Sequence, residues 1–272
     1  MKILVPVDFS DCSKRAAHFA LEMSVTLKAK VQLLHVLSIP HLDPHMPPEM
    51  AERMLQENEQ KAQEQYQSFR AELDKTNQKA TTFEVRQGFF LAELEAHIDE
   101  YKPDYVVMGT QGATGVKKLV GSNTSNAIER LRLPVLAVPE EAQYQQPQHI
   151  LYCTDLAADD YQYIDQLLQL ADDFHATITC LHVCQSQEQL DEVQVEDLKE
   201  FFWKEIQREQ LQIDIMYHKD LDEAIDNYAK EHAVDWLAML THRRTLLERI
   251  FHKSVTKKMA VHTHLPLLAF HK

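Results

Sequence analysis

The sequence predicts an α/β protein built as two tandem parallel-sheet units. Three observations carry that prediction: a self-repeat that runs the length of the chain, short β-branched runs alternating with amphipathic segments, and a length of 272 residues, which exceeds the usual size of one domain. The repeat is the strongest of the three. ILVPVDFS, Ile3 to Ser10, matches ILYCTDLA, Ile150 to Ala157, and LLHV, Leu33 to Val36, matches CLHV, Cys180 to Val183. Both pairs lie 147 residues apart (3 and 150, 33 and 180), so Asp8 pairs with Asp155 and His35 with His182 without a gap. Further on, DYVVMGT from Asp104 matches DWLAMLT from Asp235 at a spacing of 131, and LPVLAVP from Leu133 matches LPLLAFH from Leu265 at 132. The second copy is therefore shorter in its middle and one residue longer in its last loop.

The elements of the first copy follow in order. Ile3 to Val7 is a short apolar strand, and a helix follows from about Cys12; Val31 to Val36 is the second strand. The Glu- and Gln-rich stretch from Glu49 to Asp74 reads as a helix, Phe83 to Arg86 as a strand, Leu91 to Tyr101 as a helix and Tyr105 to Met108 as a strand. A glycine-rich loop, another helix and the strand Val135 to Val138 complete the unit. Strands separated by helices imply right-handed crossovers and a parallel sheet, which places ligands beyond the carboxyl ends of the strands where strand order reverses. Asp8 and the glycine loop both leave strands at that end. The join between copies falls at EEAQYQQPQ, Glu140 to Gln148, a polar stretch without apolar periodicity, so the domains are expected at 1–140 and 149–272.

Composition narrows the class. The chain is 44% apolar and 26% charged, close to globular averages. A net charge of −14 argues against a nucleic-acid partner, because a phosphate backbone is held by an excess of Lys and Arg. No apolar run approaches the roughly 20 residues that cross a bilayer, and MKILVPVDFSD reaches an aspartate too early for a secretory signal, so no membrane partner and a cytoplasmic location are expected. Cys12, Cys153, Cys180 and Cys184 lack zinc-knuckle or CxxC spacing and are expected as buried thiols.

Four of the five glycines lie between Met108 and Leu131, beside hydroxyl residues and just before a helix. Glycine lets backbone approach an anion closely, and a helix N-terminus offers unpaired N–H groups, so Gly109, Gly112, Gly121, Ser122 and Thr124 read as a nucleotide-phosphate site. A plain Gly-rich turn is the alternative. The spelling is neither a Walker A loop nor a dinucleotide GxGxxG.

Together, ILVPVDFS, LLHV, the MG..G....GSNT loop and LPVLAVP, in that order, resemble the universal stress protein family in a tandem arrangement covering essentially the whole chain. The resemblance implies a five-stranded parallel three-layer α/β sandwich in each half, of the adenine nucleotide alpha hydrolase-like kind. It also implies an internal pseudo-dimer in which Val135–Val138 and Leu267–Phe270 join the halves; a homodimer above that level stays open. In one branch of the family ATP binds at the loop, with ADP or AMP as alternatives and Mg²⁺ as an accompanying ion. Carried over by position, Pro6, Val7 and Asp8 border adenine and ribose, Val36 lines the base, and Met108 and Gly109 begin the phosphate run. Gly112, Gly121, Ser122, Asn123 and Thr124 hold the phosphates, through amides and hydroxyls that satisfy phosphate oxygens without many cations.

Two departures from the family pattern matter. Nucleotide-binding members commonly place nine residues between the second and third motif glycines, whereas Ala113 to Val120 is one fewer, a difference Gly115 has the backbone freedom to absorb. In the second copy Leu240, Arg243 and Lys253 replace Gly109, Gly112 and Gly121, although Ser254 and Thr256 remain, so this half is not expected to bind ATP in the family manner.

The other motifs carry less. The basic stretch Thr241 to His264 reads either as a solvated face or as an interface or anion contact through Arg243, Arg244 and Lys253. His242, His252, His262 and His264 lack compact metal-ligand spacing, and no metal site is expected. Cys180, His182 and Cys184 share one strand face whose repeat counterpart is Leu33, His35 and Leu37, which points to packing. His41 and His45 fall in a proline-rich flap near the base. Asp8 is the sole obvious carboxylate by the loop, so no catalytic residue is assigned and slow ATP hydrolysis is the most expected. The rival functions are a nucleotide-responsive signalling module with an unidentified protein partner, a weak ATPase, and a nucleotide-free interaction protein.

Overall fold

The computed structural model describes residues 1–38, 47–73, 81–110, 122–157, 159–192, 195–241 and 265–272. In the first half β1 (Lys2–Pro6), α1 (Asp11–Leu27), β2 (Lys30–Leu37), α2 (Pro48–Glu72), β3 (Thr81–Gln87), α3 (Phe90–Tyr101), β4 (Tyr105–Gly109), α4 (Ser122–Arg130) and β5 (Val135–Val138) follow one another. The second half contains β6 (His149–Cys153), α5 (Asp160–Phe174), β7 (Thr177–Cys184), three short helices α6 (Gln187–Glu192), α7 (Glu196–Phe201) and α8 (Trp203–Gln207), then β8 (Leu211–Tyr217), α9 (Leu221–Glu231), β9 (Trp236–Leu240) and β10 (Leu267–Phe270). The three short helices stand where the first half has the single long α2, which accounts for the shorter middle of the second copy.

All ten strands form one sheet in the order β3-β2-β1-β4-β5-β10-β9-β6-β7-β8. Pairing is parallel within each half, and the halves meet where β5 and β10 run antiparallel, with Leu268 opposite Leu136. The two expected five-stranded parallel sheets are thus the two arms of one continuous sheet. Each arm reverses strand order between its first and fourth strands, at β1 and β4 and at β6 and β9.

Local sequence explains the elements that position this switch point. Ser10 caps α1 by accepting from the Ser13 N–H at 3.2 Å, and Lys28 closes the helix in the left-handed conformation. The buried face of α1 is rich in small residues, Ala16, Ala17 and Ala20, which lets the helix lie close to the sheet. α2 is largely exposed and buries a stripe of Ala62, Tyr66 and Phe69 at helical spacing, which Leu73 just beyond it continues. Its Tyr66 ring stacks on Phe83 of β3 with centroids 3.9 Å apart.

Two apolar layers cover the two faces of the sheet, one with α1 and α5 and the other with α3, α4 and α9. Trp236, 1% exposed at the start of β9, is the largest fully buried side chain, and its ring meets Phe19 of α1 and Phe174 of α5. The polar join is anchored by the same helices: Tyr144 packs edge-on against Phe19, and Gln146 donates from Nε2 to the Phe174 carbonyl at 2.8 Å. The two halves therefore share a core as well as a sheet. Trp236→Ala removes the aromatic that both halves contact and is expected to cost about 3–5 kcal/mol. Urea unfolding of that variant, followed by circular dichroism, checks this as a lowered midpoint with both halves still melting in one transition.

Candidate functional site

β2, β1 and β4 are neighbours in the sheet, and their carboxyl ends bring most of the sequence-derived residues together. Pro6 ends β1 opposite Leu34, and Val7 follows it, buried, donating its N–H to the Leu34 carbonyl at 2.8 Å. Asp8 is exposed, and its Oδ1 accepts from the backbone N–H of Ser10 at 3.1 Å and from the Ser10 hydroxyl. This turn places Phe9 at φ 63°, in the left-handed region, and lays its ring 4.5 Å from that of His35. Val36 is half-buried near the end of β2.

On the far side of β1, Met108 is buried near the end of β4 and Gly109 closes the strand. A Cβ on Gly109 would lie 2.6 Å from the Cys12 sulfur and 2.8 Å from its carbonyl oxygen, so the first turn of α1 occupies the space a side chain needs. The sequence reading explained this glycine by phosphate approach, and the packing of α1 is a second, independent reason for it. Ser122 is the first residue of α4, Asn123 is exposed, and Thr124 is buried with its hydroxyl donating to the Gly109 carbonyl at 2.7 Å. That bond ties the start of α4 to the end of β4, and so aims a helix N-terminus at the switch point. Gly112, Gly115 and Gly121 lie outside the described residues, as do His41, His45, Arg243, Lys253 and the four histidines from His242 to His264.

The second half repeats the scaffold with different chemistry. Thr154 takes the place of Val7 and donates its N–H to the Leu181 carbonyl at 3.0 Å; Leu156, at φ 59°, takes that of Phe9. His182 Nδ1 meets the Thr154 carbonyl at 2.9 Å as His35 Nδ1 meets the Val7 carbonyl at 2.7 Å, so both histidines serve the packing the repeat implied. Beneath them the buried carboxylate of Asp160 accepts from the Tyr152 hydroxyl at 2.8 Å, the Thr154 hydroxyl at 2.6 Å and the Ala157 N–H at 3.2 Å. Burial, reinforced by Asp160, pushes the Tyr152 phenol up and keeps it a donor. Leu240 stands at the position of Gly109 and is buried.

All four cysteines are buried and none forms a disulfide. Burial, with Asp155 nearby, pushes the Cys153 thiol up to about 12, and burial also raises Cys180 and Cys184, so none of these three is a ready nucleophile. Sequence reasoning missed a cluster of buried Gln32 and His97 with half-buried Glu84 at the outer edge of the first half. Its members are far apart in the chain, and the register of β2 with β3 together with the packing of α3 brings them together.

A universal stress protein family model matches residues 1–139 and again 147–271. A universal stress protein of Methanocaldococcus jannaschii is 29% identical over 138 residues, which is 50% of this chain and 81% of that protein. The crystal structure of a universal stress protein from Archaeoglobus fulgidus matches 100% of this chain and 96% of its own at a TM-score of 0.68 with 14% identity. A protein of unknown function from Pseudomonas aeruginosa matches 99% of this chain and 92% of its own at 0.53, also with 14% identity. These structural matches extend the fold likeness over both halves.

The Gly109 contact yields a prediction that involves no ligand. Gly109→Ala is expected to destabilise the protein by about 1–3 kcal/mol, the usual cost of forcing a methyl into packed backbone. Thermal melting without nucleotide checks it, and a stability equal to wild type would mean that α1 leaves room at this position.

Proposed function

This chain belongs to the universal stress protein family, and we propose that it binds an adenine nucleotide, ATP with ADP and AMP as alternatives, in its first half alone. The observation that carries the reading is the convergence of Pro6, Val7, Asp8, Val36, Met108 and Gly109 on three adjacent carboxyl strand ends, with the N-terminus of α4 tied to Gly109 through Thr124. The apolar members suit a base, Asp8 suits ribose, and the helix start and the glycine-rich segment suit phosphates. In the second half Leu240 replaces Gly109, and polar side chains around Asp160 satisfy one another, which suits a partner that binds no nucleotide.

The role proposed is that of a nucleotide-responsive regulatory module whose halves form an internal pseudo-dimer through β5 and β10. Slow hydrolysis at most goes with it, because the one carboxylate assigned beside the glycine loop, Asp8, is already engaged by Ser10. When Mg²⁺ accompanies the nucleotide it offsets phosphate charge. Among the described residues no helix is long and apolar enough to cross a membrane, and free cysteines suit the reducing cytoplasm proposed for the chain.

A second reading, a nucleotide-free interaction protein, is favoured by two internal bonds: the Asp8 carboxylate and the Thr124 hydroxyl, both assigned to ligand, already have protein partners.

Thermal shift and calorimetry with ATP, ADP and AMP separate the two. Nucleotide at about 100 times its dissociation constant stabilises the folded state by about 2.7 kcal/mol. A clear rise in melting temperature is expected for wild type, and its loss in Gly112→Leu with the unliganded melt little changed. No shift with any of the three at millimolar concentration would leave the nucleotide-free reading standing.

A further inference from the structure

His97 of α3 is 2% exposed and makes two close approaches to oxygen. Its Nε2 lies 2.8 Å from Oε1 of Gln32 on β2, and its buried Nδ1, which makes no hydrogen bond, lies 3.3 Å from Oε1 of Glu84 on β3. Gln32 in turn donates from Nε2 to the other Glu84 oxygen at 3.3 Å. The three side chains close a triangle.

With a neutral imidazole and an ionised carboxylate, that triangle is one proton short. If the Gln32 amide nitrogen faces Glu84, its oxygen faces His97, so Nε2 carries the hydrogen and the bare Nδ1 lone pair confronts a carboxylate oxygen. If the amide is turned over, its oxygen confronts Glu84 instead. A proton added at Nδ1 makes that contact an imidazolium–carboxylate pair, and burial of the ring opposes its uptake. We propose that His97, Glu84 and Gln32 form a proton-uptake site that makes the outer edge of the first half respond to mild acidification.

The surrounding charges set how this response runs. Arg86, on the same strand as Glu84, is shared by Glu84 at 2.9 Å, Glu93 at 4.0 Å and Glu100. Tyr101 stacks on the His97 ring, and Lys2 stands 4.8 Å over the Tyr101 ring. Burial holds the imidazole below its usual range, the Glu84 and Glu100 carboxylates work against that, and Arg86 adds to it. The unfolded chain then takes up the proton at a higher pH than the folded one. This contribution to stability is present above the ordinary imidazole value and is lost as pH falls toward the folded one. On protonation the imidazolium draws on Glu84, a carboxylate that also holds Arg86, whose residue is in register with Val36 of β2.

The second half is a built-in control. Thr179 occupies the place of Gln32, Asp214 that of Glu84 and Tyr228 that of His97, and the Tyr228 hydroxyl donates to Asp214. Burial and that bond push the Tyr228 phenol up, so it keeps its proton through the range in which an imidazole titrates. The stacked neighbours are exchanged as well: His97 lies on Tyr101, and Tyr228 lies on His232. The two edges thus share one scaffold, with an imidazole at the centre of the first and a phenol at the centre of the second, where His149 bonds Thr179 and His232 stacks on Tyr228.

The test needs no nucleotide. In wild type, NMR titration of the His97 ring is expected to give a midpoint below ~6.5, the value of a free imidazole, and Glu84→Gln is expected to lower it further by removing the opposing carboxylate. The melting temperature of His97→Gln is expected to fall less than that of wild type between about pH 8 and about pH 5. A wild-type midpoint at or above the free value, an unmoved midpoint in Glu84→Gln, or equal pH slopes for His97→Gln and wild type would each overturn the proposal. If His97→Gln does not fold, the wild-type and Glu84→Gln titrations decide it.

Discussion

The antiparallel pairing of Val135–Val138 with Leu267–Phe270 is the contact on which the rest of the molecule depends. Both strands are four residues long, apolar and buried throughout. Unpaired, each would leave a row of backbone donors and acceptors, with apolar side chains on either face, at the edge of a parallel sheet. Paired, they place the two least polar edges at the centre of one sheet. The outer edges are then β3 and β8, which carry Glu84 and Arg86 and Gln212 and Asp214, residues that discourage further strand addition. Trp236 completes the join on one face, where helices from both halves close over it.

Within that frame the two copies keep the same backbone devices and exchange the side chains. Asp104 accepts from the Lys2 N–H at the start of the first arm, and Asp235 accepts from the Gln148 and His149 N–H groups at the start of the second. Thr110 and Thr241 each return their N–H to the last strand of their own half, at 3.0 and 2.8 Å. Positions that face the switch point or the outer edge diverge instead. Val5, Val7 and Ser13 become Tyr152, Thr154 and Asp160, and an apolar wall beside the first switch point becomes a closed hydrogen-bond network beside the second. A network whose donors and acceptors satisfy one another is costly to open, so the two halves present different chemistry at their switch points.

Much of this was legible in the sequence because it depends on local pattern. The strand Ile3 to Val7, the helix from Glu49 and the final strand Val135 to Val138 are periodic or apolar enough to be placed within a few residues of β1, α2 and β5. The repeat fixed which loops share an end of the sheet. The Gln32, Glu84 and His97 triangle was not legible, because nothing local marks three ordinary polar residues on two strands and a helix as neighbours. Strand register, with Leu34 opposite Glu84, brings the last two within reach of Gln32. Nor does composition reveal that the polar segment 139–148 is held by Tyr144 and Gln146 against α1 and α5.

Gly109 illustrates how a motif can carry two physical causes at once. Read as sequence, a glycine ahead of a Gly-rich loop and a helix speaks for an anion. Read as structure, it speaks first for α1, whose Cys12 fills the place of a side chain. The second copy separates the two causes. Cys12 lies inside α1, which begins at Asp11, whereas its repeat counterpart Asp159 lies outside α5, which begins at Asp160. At that strand end Leu240 is buried in the same apolar cluster as Tyr163 and Phe270. The glycine of the first half is required by the packing of α1 whether or not a ligand binds beside it.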